Sequence, residues 1–523
     1  MSIVAPPLRL ASASVVLFGQ RGDITQHAQD RGVSRQRLYR EAASVLRDLD
    51  QAPAQQLIDR LHQQLGAAQE HLRRLQDQQR HAVLVTAEVQ AEFASTAQAE
   101  GVSLPVARRL LAVLLRDRAS SIAQLGRLSH QAALRAASLL AVLDECTKPR
   151  VRQGAGDEIF FGARPVLMVV EPESQCWLTG RLAASRDGEA WAKELGELPA
   201  LEHLARDGGT GLANGVARVN QQRQHDQRQQ IAEQLDHFHT LREGRRAVRK
   251  AQALAERAWS AAEEADKKLA RQGRHGQART GYATQSALKW RKAEQAFHQW
   301  EAAEATFERI RQALRPFTPQ GELSSRERAV AAVEALLPQL PGEHFDKFKR
   351  LLGRPETYTY LDRLHGQIEM SAAAPEVRQA VLRSEGVRQN PELVQGDGQQ
   401  QAVLRGLLLV WGVLIAAAGE AGQRAVAAVR QATRCAVRAS SCVEGLNSVV
   451  RMQQGRHRKM TQGLLDLKRL YWNLRKFRTG RRKKTSPYER LGIALPPELS
   501  WWQLLQMPPD QLRALLSAQP RAA

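Results

Sequence analysis

One change of texture limits what this chain can fold into. Most of it reads as helix, in long Ala-, Leu-, Glu- and Arg-rich segments. Only between about residues 150 and 241 do short apolar or alternating runs appear, separated by Gly, Pro and Ser. Glu158-Ile-Phe-Phe, Pro165-Val-Leu-Met-Val-Val-Glu and Gln175-Cys-Trp-Leu-Thr-Gly-Arg-Leu predict three consecutive strands in an antiparallel meander. Glu189 to Leu195 predicts a helix, and Leu201 to Asp207 a further strand broken by Gly208-Gly209, with a helix from about Thr210. Ile231 to Leu241, which contains Asp236-His237-Phe238-His239, reads as a last strand. The expected molecule is multidomain and α-rich, built around one small sheet.

The flanks predict helical domains. At 523 residues the chain is long enough for three or more cores. Residues 1–50 read as a helix-turn-helix: Ile24 to Asp30 is the first helix, Gly32 the turn, and Ser34 the cap of a helix through about Leu46. Ala28 and Leu38 fit the core of such a motif, whereas Glu41 falls where an apolar residue is usual. Arg35, Gln36, Arg37 and Arg40 would then face a DNA major groove. Residues 51–150 predict a long helix over 54–96, paired as a coiled coil with an imperfect heptad and a candidate interface between copies. A helical cluster follows from Ser103 to Glu145. Within that cluster, Ser120 to Gly126 followed by a helix from Ser129 reads as a second helix-turn-helix or as bundle core.

Residues 151–241 form the first part of the core, and 242–431 an all-helical block with Trp259, Trp290 and Trp300 inside it. Its most apolar stretch, Gly406 to Gly419, is too short to span a bilayer and reads as a buried helix. Residues 432–485 return to the core, and 486–523 form a C-terminal tail. Ala11 to Phe18, behind Pro6 and Pro7, makes a poor signal peptide, so a cytoplasmic location is expected.

A formal net charge of +22 and a pI near 10.5 imply a polyanionic partner, most simply nucleic acid. From Arg451 to Lys484, 13 Lys and Arg stand against one acid, Asp466, a local balance of 13 − 1 = +12. That density predicts a phosphate-binding face carrying Arg451, Arg456, Arg458, Lys459, Lys468, Arg469, Arg475 and Lys476. The four cysteines form no CxxC pair, so neither a zinc knuckle nor a disulfide framework is expected.

Glu444, Asn447, Ser448 and Arg451 share one face of a predicted helix. Alone, Glu444 reads as a surface residue and Asp207, before two glycines, as a turn former. Together with Asp157 they are three carboxylates from three distant segments, which is what two Mg²⁺ ions need for phosphoryl transfer. Asp157 is expected to bridge both ions, with Asp207 and Glu444 each holding one, and Mn²⁺ is expected to substitute. Glu158, adjacent to Asp157, should point to the opposite sheet face, and Glu171 is a further alternative for the first ligand. Asp236 and His239 are expected to brace the site, supported by Asn447.

Three strands, a helix, a strand ending in Asp and a later helix carrying Glu is the order of an RNase H-like core. The separations are 207 − 157 = 50 and 444 − 207 = 237 residues, and the helical block fills the second gap. The chain resembles bacterial insertion-sequence DDE transposases, whose core is interrupted by a helical insertion before the final Glu. The resemblance rests on Gly156-Asp157-Glu158, Arg206-Asp207-Gly208-Gly209, the Asp-x-x-His element Asp236 to His239, Ser441 to Ser448, and Thr485 to Gly492. It spans roughly Gly156 to Gly492. It implies N-terminal helix-turn-helix and helical domains that choose DNA ends, and an RNase H-like α/β core, split by an all-α insertion, that cuts and joins strands. The implied partners are double-stranded DNA, as element ends and target, and further copies in a dimer or larger assembly near the nucleoid, with no membrane. A catalytically silent DNA-binding protein (a domesticated transposase or regulator) and a nuclease of the same fold are the alternatives.

Overall fold

The computed structural model describes residues 6–51, 54–81, 85–274, 280–370, 374–390, 393, 398–436, 438–454 and 460–518. The chain divides into two compact units that meet in sequence at Thr86 and Ala87. The structure is predominantly helical with one mixed sheet, as the sequence predicts.

The first unit comprises α1 (Pro6–Phe18), α2 (Asp23–Asp30), α3 (Arg35–Gln51) and α4 (Ala54–His81). The helix pair α2–α3 forms where expected. Gly32 takes φ 61°, the left-handed conformation glycine tolerates, and the Ser34 hydroxyl accepts from the Arg37 N–H at 3.3 Å. Ala28 and Leu38 are buried. The off-pattern Glu41 is buried too, with its carboxylate 2.8 Å from Arg31 and 3.3 Å from Arg37. Arg31 also donates to Ser12 of α1, so an ion pair holds three helices where an apolar residue would serve. The long helix expected over 54–96 is interrupted: α4 ends at His81 and the next helix begins at Ala87.

The second unit opens with α5 (Ala87–Ala99), α6 (Leu104–Leu115) and α7 (Ile122–Thr147). Helix α7 runs unbroken through Gly126, which overturns a second helix-turn-helix there, and Ser121 caps its start by accepting from the Gln124 N–H. The sheet follows as β1 (Gln153–Phe161), β2 (Arg164–Val170), β3 (Trp177–Leu182), α8 (Gly188–Gly196), β4 (His203–Arg206), α9 (Thr210–His225) and β5 (Ala232–Leu235). Strand order is β3-β2-β1-β4-β5, with β1, β2 and β3 antiparallel and β4 and β5 parallel to β1.

Both faces of the sheet are covered, which is why Val166 to Val170 is apolar without alternation. On one face, Leu167, Val169 and Leu204 pack with Leu139 and Leu143 of α7, Trp191 of α8 and Leu212 of α9. A Cβ on Gly156 would stand 2.9 Å from Leu212, so glycine there lets α9 approach. Residues 87–150 are therefore part of this unit's core rather than a domain of their own.

From β5 to the last helix against the sheet, the described residues carry α10 (His237–Arg274), α11 (Thr280–Ala313), α12 (Arg326–Leu336), α13 (Asp346–Leu352), α14 (Thr359–Glu369), α15 (Pro375–Gln389), α16 (Gln399–Ala417) and α17 (Gly419–Cys435). Asp236 to His239, expected in a strand, instead starts α10. Trp259, Trp290 and Phe297 stack edge to face across α10 and α11, and Trp290 donates to Asp266 at 2.7 Å, so these aromatics hold the long hairpin together. The insertion is tied to the β5 edge through Gln234, whose amide meets Tyr360 N–H at 2.7 Å and Thr357 C=O at 3.1 Å. Helix α16 is not the buried helix its composition predicts: Leu409 and Val413 are 74% and 68% exposed. Among the described residues no single helix is long and apolar enough to cross a membrane.

The chain closes with α18 (Ser441–Gln454), α19 (Gln462–Leu474), α20 (Pro487–Arg490), α21 (Trp501–Gln506) and α22 (Pro509–Ser517). The segment expected as a tail is not one, because Tyr488, Ile493, Trp502, Leu505 and Leu512 all join the core beneath the sheet. Helix α19 lies along the open edge of β3. Gln462, Arg469 and Asn473 bond the backbone of Leu182, Gly180 and Trp177 at 2.8–2.9 Å, closing an edge that would otherwise be free to pair with another chain.

Candidate active site

The parallel register builds a row of acids. Gly156 of β1 pairs with Arg206 of β4, and Arg206 with Leu235 of β5. The next residue on each strand is Asp157, Asp207 and Asp236. Neighbouring strands run about 4.8 Å apart, so the three acids stand side by side on one sheet face. Helix α18 crosses that same face, seated by Val443, Leu446 and Val450 against Ala155, Ile159 and Ala205. Apolar spacing of three and seven residues thus aims Glu444 and Asn447 at the acids.

Asn447 is fully buried and donates its Nδ2 to Asp157 Oδ2 at 2.6 Å. The other Asp157 oxygen accepts from the Glu158 N–H at 2.8 Å. Burial first, then the charge of Glu444 and, more weakly, of Asp207, pushes the Asp157 carboxyl up to about 7. Asp207 also does what an Asp before glycines does by default: its Oδ1 accepts from the Gly209 N–H at 2.8 Å. Turn former and candidate site acid are therefore the same residue.

Asp236 caps α10, accepting from Phe238 N–H at 2.6 Å, and its second oxygen takes the Ser440 hydroxyl. Ser440 directly precedes α18, so one fully buried carboxylate fixes the starts of both helices. His239 Nε2 lies between the two carboxylates, 3.1 Å from Glu444 Oε1 and 3.6 Å from Asp236 Oδ2, without forming a hydrogen bond among the described residues. Among the described residues no three His, Cys, Asp or Glu side chains stand close enough to enclose one ion.

The alternatives to Asp157 are occupied elsewhere. Glu158 points to the opposite face and pairs with Arg186 at 2.7 Å. Glu171 shapes the β2–β3 turn, accepting from the N–H groups of Glu173 and Ser174. Ser448 bonds back to Glu444 C=O at 2.8 Å and takes no part.

The basic face expected after Glu444 is only partly one. Arg451 and Lys476 are exposed, the latter 3.6 Å from Glu489, and Arg475 stacks 4.0 Å over Trp472. Arg456, Arg458 and Lys459 lie outside the described residues. Lys468 and Arg469 correct the expectation: both are buried. Lys468 donates to the Gln98 C=O at 2.6 Å at the end of α5, while Arg469 pairs with Asp144 and Trp177 C=O. Their spacing from Leu465 and Trp472 placed them on the inner side of α19, a signal that charge counting hides. In the first unit, Arg35, Gln36 and Arg40 are exposed on α3, and Arg37 is half-buried against Glu41.

Sequence reasoning missed Lys347, Arg350 and Arg354. From α13 and the loop after it they line a cleft of about 340 Å³ together with Asp207, Asp236 and His239. No periodicity links these cations to acids more than a hundred residues away; only the docking of the insertion on β5 does. Compared with protein-family models, with curated proteins and with solved structures, the chain matches none.

Proposed function

We propose that the chain is a DNA transposase with an RNase H-like catalytic core that cleaves and joins DNA strands in a metal-dependent reaction. One observation carries this reading: Asp157 and Asp207 stand one step beyond a paired row of two parallel strands, under a helix that presents Glu444. The strand order β3-β2-β1-β4-β5, antiparallel then parallel, supports an RNase H-like core, and the helices between β5 and α18 support an insertion before the last acid.

The residues match a hard divalent cation in donor type and charge, and binding one would require Glu444 and Asp157 to converge from their present positions. All three are carboxylates, and Asp157 is raised first by burial and then by the charge of Glu444 and Asp207, a cost that such a cation offsets. Bound Mg²⁺ or Mn²⁺ would supply activation of the attacking hydroxyl and stabilisation of the leaving oxygen. Asn447 orients Asp157, His239 lies beside Glu444, and Asp236 fixes the start of α18 through Ser440. Lys347, Arg350 and Arg354 offer phosphate contacts beside the acids, and exposed Arg35, Gln36 and Arg40 offer groove contacts on α3.

Pairing of copies through α4 belongs to the same reading. Ile58, Leu61, Leu65, Ala68, Leu72 and Leu75 follow a heptad a/d seam, and Ile58, Leu65, Leu72 and Leu75 are 44–57% exposed. Every charge from Asp59 to Asp77 falls outside the seam and its flanks, which carry Gln and His, so identical copies meet without like-charge repulsion. Strand transfer tests the function. Pre-cut element ends incubated with the protein, Mg²⁺ and a target plasmid should yield joined products; hydrolysis without joining would instead favour a nuclease.

A further inference from the structure

A second cavity, of about 920 Å³, lies on the other side of the α10 start. His237 and Phe238 line it, while His239, the next residue, lines the cleft with the acids. Its wall carries five arginines, Arg311, Arg315, Arg434, Arg438 and Arg482, and no Asp or Glu among the described residues. They converge from the ends of α11 and α17, from the segment before α18 and from the segment after α19. Five guanidinium groups around one cavity make a positive local field that attracts polyanions.

Neutral groups orient several of these arginines. Arg315 donates to Asn390 Oδ1 at 3.4 Å, Arg438 to Leu314 C=O at 3.5 Å, and Arg482 to Glu173 C=O at 3.2 Å. Arg311 meets Glu308 at 3.1 Å on its own helix. Burial, with the nearby charge of Arg315, holds the Arg438 guanidinium below its ordinary range. Ser441 and Cys442, in the first turn of α18, also line the cavity, so its helix dipole adds to the positive field. Glu444 follows about one turn further along the same helix.

We propose that this cavity binds the phosphates of one DNA strand, leading a single strand away from the acids. The proposal rests on reading those acids as a DNA-processing site. A duplex is too wide for a cavity of this volume, whereas a few unpaired nucleotides fit. Phosphate oxygens are what arginine forks recognise. A free polyphosphate offers the same chemistry, and the test separates the two.

The test is binding of a labelled single-stranded 12-mer to the full chain in EDTA, so that no cleavage is involved. Arg311 and Arg434 are both exposed, and Arg311→Gln/Arg434→Gln should weaken binding on the order of tenfold at 0.1 M salt and lower the salt slope by about 1.4. The charge-matched control Lys289→Gln/Lys292→Gln, about 28 Å or more from Arg311 along α11, should bind the strand within about twofold of wild type. Binding by wild type that is unchanged in the arginine variant overturns the proposal. So does tripolyphosphate displacing the 12-mer at equimolar concentration, since the cavity then prefers a small anion. If wild type binds the strand through these arginines but cuts no DNA with Mg²⁺, the cavity assignment stands and the transposase reading fails.

Discussion

Replacing Asp157 by Asn isolates the cost of holding a buried carboxylate beside Glu444 and Asp207 at the proposed site. Burial, then Glu444 and Asp207, moves this carboxyl from an ordinary 3.8 up to about 7. The unfolded chain releases the proton about three pH units before the folded one does (7 − 3.8), so the folded state holds more protons across that interval. Its contribution to stability is therefore greatest below pH ~4 and falls by about 1.4 kcal/mol per pH unit until pH ~7, a total of ~4 kcal/mol. Asn does not titrate. It has one acceptor oxygen where Asp157 takes bonds from both Glu158 N–H and Asn447 Nδ2, and losing one costs ~1 kcal/mol at every pH. In EDTA, Asp157→Asn should be ~1 kcal/mol less stable than wild type at pH 4 and ~3 kcal/mol more stable at pH 8. Denaturant unfolding of both proteins at unit steps between those values reads the difference directly. A difference that stays flat with pH would mean that Asp157 ionises like an ordinary carboxylate, held up neither by burial nor by its acidic neighbours.

Three further outcomes follow from the packing. Burial pulls the Lys468 amine down to about 7, so the unfolded chain binds a proton that the folded one does not between there and 10.5. Wild-type stability should rise with pH across that window, the rise should vanish in Lys468→Met, and DNA affinity should stay within about twofold because the group is inside. Glu41→Gln should lower protection from hydrogen exchange in α1–α3 by the equivalent of ~1–3 kcal/mol, leaving the sheet unchanged, since it strips the carboxylate from Arg31; equal protection would deny the ion pair its role. Leu65→Lys/Leu72→Lys should shift the protein to monomer in sedimentation at micromolar concentration, and an unchanged species distribution would remove α4 as the interface.

The strands were legible because short, Val- and aromatic-rich runs broken by Gly and Pro favour strand over helix, and Asp207 could be placed at a strand end by the glycines after it. The N-terminal hairpin was legible down to its turn glycine and Ser34 cap. What failed did so where context overrides pattern. Asp236 to His239 continues an apolar run in sequence, yet Asp236 captures the Phe238 N–H and turns the chain into α10. Lys468 and Arg469 look like a basic surface until α19 is seen against the open β3 edge and the end of α5, whose carbonyls need donors. Helix α16 is apolar all round, and composition alone cannot tell a covered helix from an uncovered one. The cations of α13 and the arginine cavity depend on how the insertion docks through Gln234 and His237, contacts with no local signature.

The central claim is that Asp157, Asp207 and Glu444 act together on DNA. Its most direct test is Mg²⁺-dependent cleavage of DNA carrying the element's own ends, by wild type and by Glu444→Gln, with binding of the same DNA measured in parallel. Wild type should cut, with at least a hundredfold loss, ~3 kcal/mol in the barrier, in a variant that still binds. Binding by both proteins with cutting by neither, with Mg²⁺ or Mn²⁺ and paired ends supplied, would contradict it and leave a DNA-binding protein without catalysis.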